Sequence, residues 1–282
     1  MRTPASAAGG ARAVRQRRGF AATRRTVHSG HMPDAPAPAI PAATLVIFRD
    51  TVVGPPDLLF VERAKSLAFA GGALVFPGGR VDPGDRTLAA TQGGDPDETA
   101  HRIAAIRETV EEVGLAIGLD PAPAGDALAG MRAALHAGAA IGDVLGGATL
   151  RLDALIPFAR WKPAHANMRI FDTRFYLARL PNDAAAPEAD ATENTRVFWA
   201  SAAAVLAEAD AGQATIIYPT RRNLERLALF QHFEAAVADA HAHPVRTITP
   251  VVEERDGVAH LTIPGDLGYP VTGEPMRGAI RG

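Results

Sequence analysis

The run Arg107-Glu108-Thr109-Val110-Glu111-Glu112-Val113-Gly114-Leu115 constrains this chain more than any other stretch. Helical geometry turns about 100° per residue and so brings Glu108, Glu111 and Glu112 within an arc of roughly 100°. Like charges four residues apart destabilise a helix, yet Arg107 is the only nearby base and no lysine follows. Two readings compete. The acids form a solvated face, or they are oxygen ligands neutralised by a hard divalent cation. The helix has its own boundaries in the sequence: Asp95 as N-cap, Pro96 at the first helical position, Glu98 at the capping-box position and Gly114 as the stop.

A second feature stands upstream. The apolar strand Ala73–Phe76 runs into Pro77-Gly78-Gly79, and Asp82-Pro83-Gly84-Asp85 follows. Paired glycines allow unusual backbone dihedrals and let a phosphate or metal approach the main chain closely. The bland alternative is an ordinary strand-ending turn.

The rest of the chain mixes element types. Residues 43–49 and 57–62 read as strands separated by Gly54-Pro55-Pro56. Residues 119–152 read as short helices with glycine-rich joints. Phe171, Thr173, Phe175 and Leu177 alternate as in a strand, and Arg196–Trp199 forms another. Ser201 caps a small helix, and Pro219-Thr220 opens a longer one that runs to about Ala238. Asp256-Gly257 marks a C-terminal hairpin. Without internal repeats or regular βαβ alternation, the pattern predicts an α+β chain. The domain is expected over residues 41–270, with a helical insertion around 119–152, an unfolded tail over 1–40 and a flexible tail over 271–282.

Charge and composition exclude several classes. Residues 1–31 hold seven arginines and no acid, which leaves 22 basic side chains against 31 acidic ones in the remainder. So acidic a body argues against nucleic-acid binding and suits a site that collects cations. With no cysteine, disulfide and thiolate chemistry are excluded. No apolar run approaches the 18 residues of a membrane span. The arginine-rich tail has three readings: an organellar targeting segment, a basic arm for lipid or nucleic acid, or a stretch upstream of a true start at Met32. The Met32 reading fits a cytoplasmic bacterial protein, and targeting is the alternative.

Taken together, Gly79, Asp85 and the run from Arg107 to Leu115 resemble the Nudix hydrolase box, G-x5-E-x7-R-E-U-x-E-E-x-G-U with U aliphatic. Asp85 stands where the family has glutamate, and Thr109 where it has an aliphatic residue. Twenty-one residues separate Asp85 from Arg107 where the box has seven, an insertion of 14, so Glu98 is an alternative for the helix-start acid. The resemblance covers residues 43–270 and implies a Nudix-type α/β/α sandwich with a mixed sheet. An interrupted box is similar to a branch that includes coenzyme A diphosphatase-like enzymes. Residues 152–161, 169–176 and 219–225 resemble that branch too. Its signature LLTxRSxxLRxxxGxVxFPGG aligns on Leu58-Leu59, with one extra residue before Arg63, and then on Arg63, Leu67, Gly72 and Phe76–Gly79, and the chain departs from it at Ala64 and Ala68.

The resemblance implies hydrolysis of a phosphoanhydride in a nucleoside diphosphate linked to another moiety, coenzyme A or acyl-coenzyme A among them. Glu108, Glu111 and Glu112 would hold Mg2+ or Mn2+, with Glu108 and Glu111 in the catalytic set. Arg107 would orient one of the glutamates, Gly78 and Gly79 would border the substrate, and Arg63 would meet a phosphate. The attacking water needs a proton acceptor, either a box glutamate or a loop acid, for which Glu193 is the candidate; a plain solvated acid is its alternative. His101, Trp161 and Trp199 read as packing residues. The expected partner is a small molecule, not nucleic acid or membrane, and a homodimer is left open. A Nudix-fold binding or regulatory module without turnover is the competing function.

Overall fold

The computed structural model describes residues 38–66, 70–163, 170–190 and 192–276. The expected tail as far as residue 37, the signature positions Leu67 and Ala68, Arg169 and residues 277–282 lie outside the described residues.

Strand β1 (Ile40–Arg49) begins before the expected Ala43, because Ile40 N–H donates to Ile170 O and Pro41 O accepts from Val81 N–H. It pairs antiparallel with β2 (Asp57–Arg63), which pairs with β3 (Leu74–Val75). The paired glycines, whose bland alternative was a strand-ending turn, are in a strand, β4 (Gly78–Arg80), antiparallel to β1. The lack of side chains lets β4 lie against its neighbours. A Cβ on Gly78 would stand 2.4 Å from Ala43 O. Helix α1 (Pro83–Ala89) follows, a helix the sequence reading did not assign, and α2 (Pro96–Val113) is the acidic helix. Asp95 caps α2 by accepting from Asp97 N–H, and Gly114 ends it in the left-handed conformation at φ 66°. The capping box expected of Glu98 does not form. Its carboxylate is taken by Arg102 and Arg174.

The insertion comprises β5 (Leu119–Asp120), α3 (Gly125–His136), α4 (Ile141–Val144) and β6 (Thr149–Leu150), and β5 and β6 pair with each other. Next come β7 (Ile156–Trp161), β8 (Phe171–Arg179) and β9 (Asn194–Ala200). Residues 175–178 of β8 are buried consecutively rather than alternately, since both faces of this central strand are covered. Ser201 caps α5 (Ala202–Asp210) as expected. The long helix expected after Pro219 is two helices, α6 (Tyr218–Leu227) and α7 (Phe233–Ala242). Phe230 turns inward between them, and His232 starts α7 by accepting from Ala235 N–H. Strand β10 (Thr247–Ile248) adds to β7. The C-terminal hairpin of β11 (Val251–Arg255) and β12 (Val258–Thr262) gains a third strand, β13 (Gly273–Pro275), within the expected flexible tail. Glu274 there is 2.8 Å from the buried Arg222, which fixes the segment.

The main sheet runs β10-β7-β8-β1-β2-β3, with β4 on β1 and β9 on β2. It is mixed, because β8 runs parallel to β1 and β10 parallel to β7, while β7 is antiparallel to β8 and β2 antiparallel to β1. Leu45, Ile47, Leu59 and Val61 face Ile103, Ile106 and Val110 of α2. Val46, Phe48, Leu58 and Phe60 face Val205, Leu224, Leu227 and Ala236 of α5–α7. These layers make the α+β sandwich of helix, sheet and helix. No helix of the described residues is long and apolar enough to cross a membrane.

Candidate active site

The carboxylates of α2 meet β4 at one edge of the sheet. Arg107 lies at the centre and spends five N–H groups on five acceptors. Its Nε and Nη2 grip Asp85 Oδ1 and Oδ2 at 3.0 and 2.9 Å. Its Nη1 donates to Glu108 at 2.8 Å and Glu111 at 3.1 Å, and its Nη2 donates to Arg80 O at 2.7 Å. Asp85 is fully buried in α1. It also accepts from Asp82 N–H at 2.8 Å. Asp85, separated from Gly79 by five residues, is therefore the partner of Arg107, and the alternative, Glu98, lies elsewhere, bound to Arg174 and Arg102.

Glu112 points to β4, where its Oε2 accepts from Gly78 N–H at 2.9 Å. Gly79 lies flush on Glu108, for a Cβ there would stand 2.3 Å from Glu108 Oε1. Burial pushes the Glu108 carboxyl up to about 7, with Arg107 opposing and Glu111 adding to the rise. Burial pushes Glu112 up to about 8, reinforced by Glu108 and opposed by the Gly78 N–H, the Asn194 side chain and Arg63. Burial would lower the pKa of Arg107, but the hydrogen bond to Asp85 and the charges of Glu108, Asp85 and Glu111 raise it.

The remaining expected residues are on the β2–β9 side. Arg63 is near enough to act electrostatically on Glu112. Its Nη2 is 4.0 Å from Glu193 Oε2, and its buried Nε has no hydrogen-bond partner. Glu193 is exposed, and its carbonyl accepts from Ala64 N–H. The sequence reading missed Asn194, the first residue of β9, which bears on Glu112, and Asp190, which binds Asn194 from the preceding loop. Asp190, followed by Thr192 and Asn194, has the composition of a side-chain-capped turn, and that was the available signal. His101 and Trp161 are buried packing residues as expected. His101 Nδ1 bonds Asp97 O, and Trp161 Nε1 bonds Asn223 and Tyr269. Trp199 is half-buried beneath Arg49.

No protein-family model matches the chain, and no curated protein matches it. Among solved structures, a NUDIX hydrolase from Alicyclobacillus acidocaldarius is similar over 72% of this chain and 97% of its own, with 27% identity and a TM-score of 0.62. An Ap4A hydrolase from C. elegans, in a binary complex, aligns over 71% of this chain and 98% of its own, with 20% identity and a TM-score of 0.39. A MutT/nudix family protein from Enterococcus faecalis aligns over 60% and 45%, with 13% identity and a TM-score of 0.36.

Proposed function

We propose that this chain, similar in fold to a NUDIX hydrolase, cleaves the phosphoanhydride of a nucleoside diphosphate linked to another moiety, using Mg2+ or Mn2+. The observation that carries the reading is the gathering of Asp85, Glu108 and Glu111 around one guanidinium, that of Arg107, with Glu112 beside Glu108 on the N–H of Gly78.

The donor set fits a hard divalent cation. Its members are oxygen donors, the carboxylates outnumber Arg107, and burial raises the pKa of two of them, which leaves negative charge short of compensation. Among the described residues no three acid or histidine side chains already stand as a ligand set, because Glu108 and Glu111 are turned to Arg107. Glu108, Glu111 and Glu112 would hold the ion, which when bound supplies Lewis-acid polarisation of phosphate oxygens and acidifies the attacking water. Arg107 has no N–H left for substrate, so its task is to keep Asp85, Glu108 and Glu111 in place. Gly78 and Gly79 keep β4 bare, so a diphosphate can come close to the acids. Arg63 offers a cation to the anionic substrate. Glu193 is the candidate proton acceptor on the rim.

Coenzyme A is the proposed substrate class, on the strength of the signature matched from Leu58 to Gly79. Ala64 and Ala68 remove a hydroxyl and a guanidinium from it, so coenzyme A hydrolysis is expected to be unselective, with a weakened KM. The test is incubation with Mg2+ and coenzyme A, a nucleotide sugar or a dinucleotide, read by mass spectrometry. The expected products from coenzyme A are 3′,5′-adenosine bisphosphate and 4′-phosphopantetheine. Survival of coenzyme A while another compound is consumed removes the coenzyme A assignment. Survival of all three favours the binding module. Glu111→Gln and Glu112→Gln should each lower kcat/KM by about 100-fold or more, since the amide keeps the size and loses the charge; unchanged kcat/KM in both removes the metal assignment.

A further inference from the structure

Glu112 is held from two sides. Gly78 N–H donates to it at 2.9 Å, and the buried Asn194 side chain at the start of β9 lowers its carboxyl pKa as a hydrogen-bonding neighbour. Asn194 is fully buried, and its Nδ2 also donates to Asp190 Oδ2 at 2.9 Å. An amide nitrogen carries two N–H groups. One goes to Asp190, the other is available to Glu112, and a flipped amide would turn Oδ1 against an anion. The orientation of Asn194 is therefore fixed by its neighbours.

Asp190 is fixed in turn. Its Oδ1 accepts from the backbone N–H groups of Thr192, Glu193 and Asn194 at 2.6, 2.8 and 3.1 Å, and from the Thr192 hydroxyl at 3.0 Å. A break in the β2–β9 ladder supplies an independent observation. Glu62 pairs with Arg196, but Arg63 pairs with Asn194, so Thr195 is an extra residue in β9. Strict alternation would send Asn194 to the same sheet face as Arg196 and Phe198, away from α2. The bulge reverses it and sends its side chain to the face of Arg63 and Glu112.

We propose that Asn194 is a positioning residue: clamped by Asp190 and re-aimed by the bulge, it fixes the Glu112 carboxylate for hydrolysis. This rests on the function proposed above, so one readout of its test is independent of turnover. Gly78 N–H is bonded to Glu112 rather than to a strand, and its hydrogen exchange in the metal-free protein reports how firmly Glu112 is held. Asn194→Ala should speed Gly78 exchange at least fivefold while leaving the amides of β1 and β2 unchanged. With Mg2+ and a hydrolysed diphosphate it should lower kcat about tenfold and change KM less than threefold. Asp190→Ala should move both readouts in the same direction. If Asn194→Ala does not fold, Asp190→Asn, which keeps an acceptor oxygen and loses the charge, should produce a smaller change of the same sign. Gly78 exchange within twofold of the parent protein in the variant that folds overturns the inference. If the parent protein hydrolyses none of the compounds, the function fails, and Gly78 exchange still decides whether Asn194 fixes Glu112.

Discussion

Arg107 and Gly79 hold the site together in opposite ways, one by contact and one by having no side chain. Removing the Arg107 guanidinium would strand Asp85, a fully buried carboxylate whose remaining donor is Asp82 N–H. Arg107→Ala should therefore destabilise the protein by about 3–5 kcal/mol, as for a buried ion pair broken on one side. Arg107→Lys should recover little, because an ammonium cannot reproduce the two-pronged grip on Asp85. Urea unfolding of both variants measures this; a loss below about 1 kcal/mol for Arg107→Ala would show that Asp85 does not depend on it. Gly79→Ala tests the opposite case. Its Cβ would overlap Glu108 Oε1, so the carboxylate must leave its place, and kcat/KM should fall about tenfold or more with the melting temperature lowered only modestly. Unchanged kcat/KM would mean that Glu108 has no required position. Most of this centre was legible in the sequence, because helical spacing alone brings Glu108, Glu111 and Glu112 together and five residues separate Asp85 from Gly79. Asn194 was not legible, because its orientation depends on a bulge that only cross-strand pairing reveals.

The 21 residues between Asp85 and Arg107 leave the two side chains in contact. They form the end of α1, a connecting loop and the first turns of α2, so the separation is taken up as helix on either side of a turn. Arg174 of β8 anchors the added turns, with Nη2 2.5 Å from Asp97 Oδ2 and Nη1 2.5 Å from Glu98 Oε2. Arg102 ties Glu98 to Leu152 O at 2.9 Å. Acids at this end also suit the dipole of α2. Arg174→Ala should cost about 1–3 kcal/mol, since two charge-assisted bonds at a mostly buried side chain are lost. It should leave kcat within about twofold, because Glu108 lies more than two turns further along α2. Denaturation and steady-state kinetics check the two halves; a large fall in kcat without a loss of stability would mean that the insertion shapes the site directly. The start and stop of α2 were readable because caps are local. The division at Phe230 and the third strand of the C-terminal sheet were not, since burial of Phe230 and the Glu274–Arg222 pair are tertiary contacts.

At the scale of the whole molecule, one mixed sheet is buried on both faces by helices, and that rigid support is what forces several carboxylates together at the β4–α2 edge. The cost should appear in the pH dependence of stability. Burial raises Glu108 to about 7 and Glu112 to about 8 from ordinary values of 4.5. Between about pH 4.5 and pH 8 the folded protein keeps protons that the unfolded chain has released, so stability falls as pH rises through that window and is greatest below it. His101 acts in the opposite sense. Burial lowers its pKa from 6.5, so the folded state gains stability as pH rises toward that value. The difference between the parent protein and Glu112→Gln isolates the glutamate. In EDTA the parent's melting temperature should fall relative to that of Glu112→Gln as pH rises from 5 to 8. A divalent cation binds ionised carboxylates and must displace any proton they hold. Stabilisation by excess Mg2+ should therefore grow over the same range, and most of the gain should vanish in Glu112→Gln. A melting-temperature difference that stays flat in EDTA would mean that Glu112 ionises normally, and a Mg2+ gain that survives in Glu112→Gln would place the ion elsewhere.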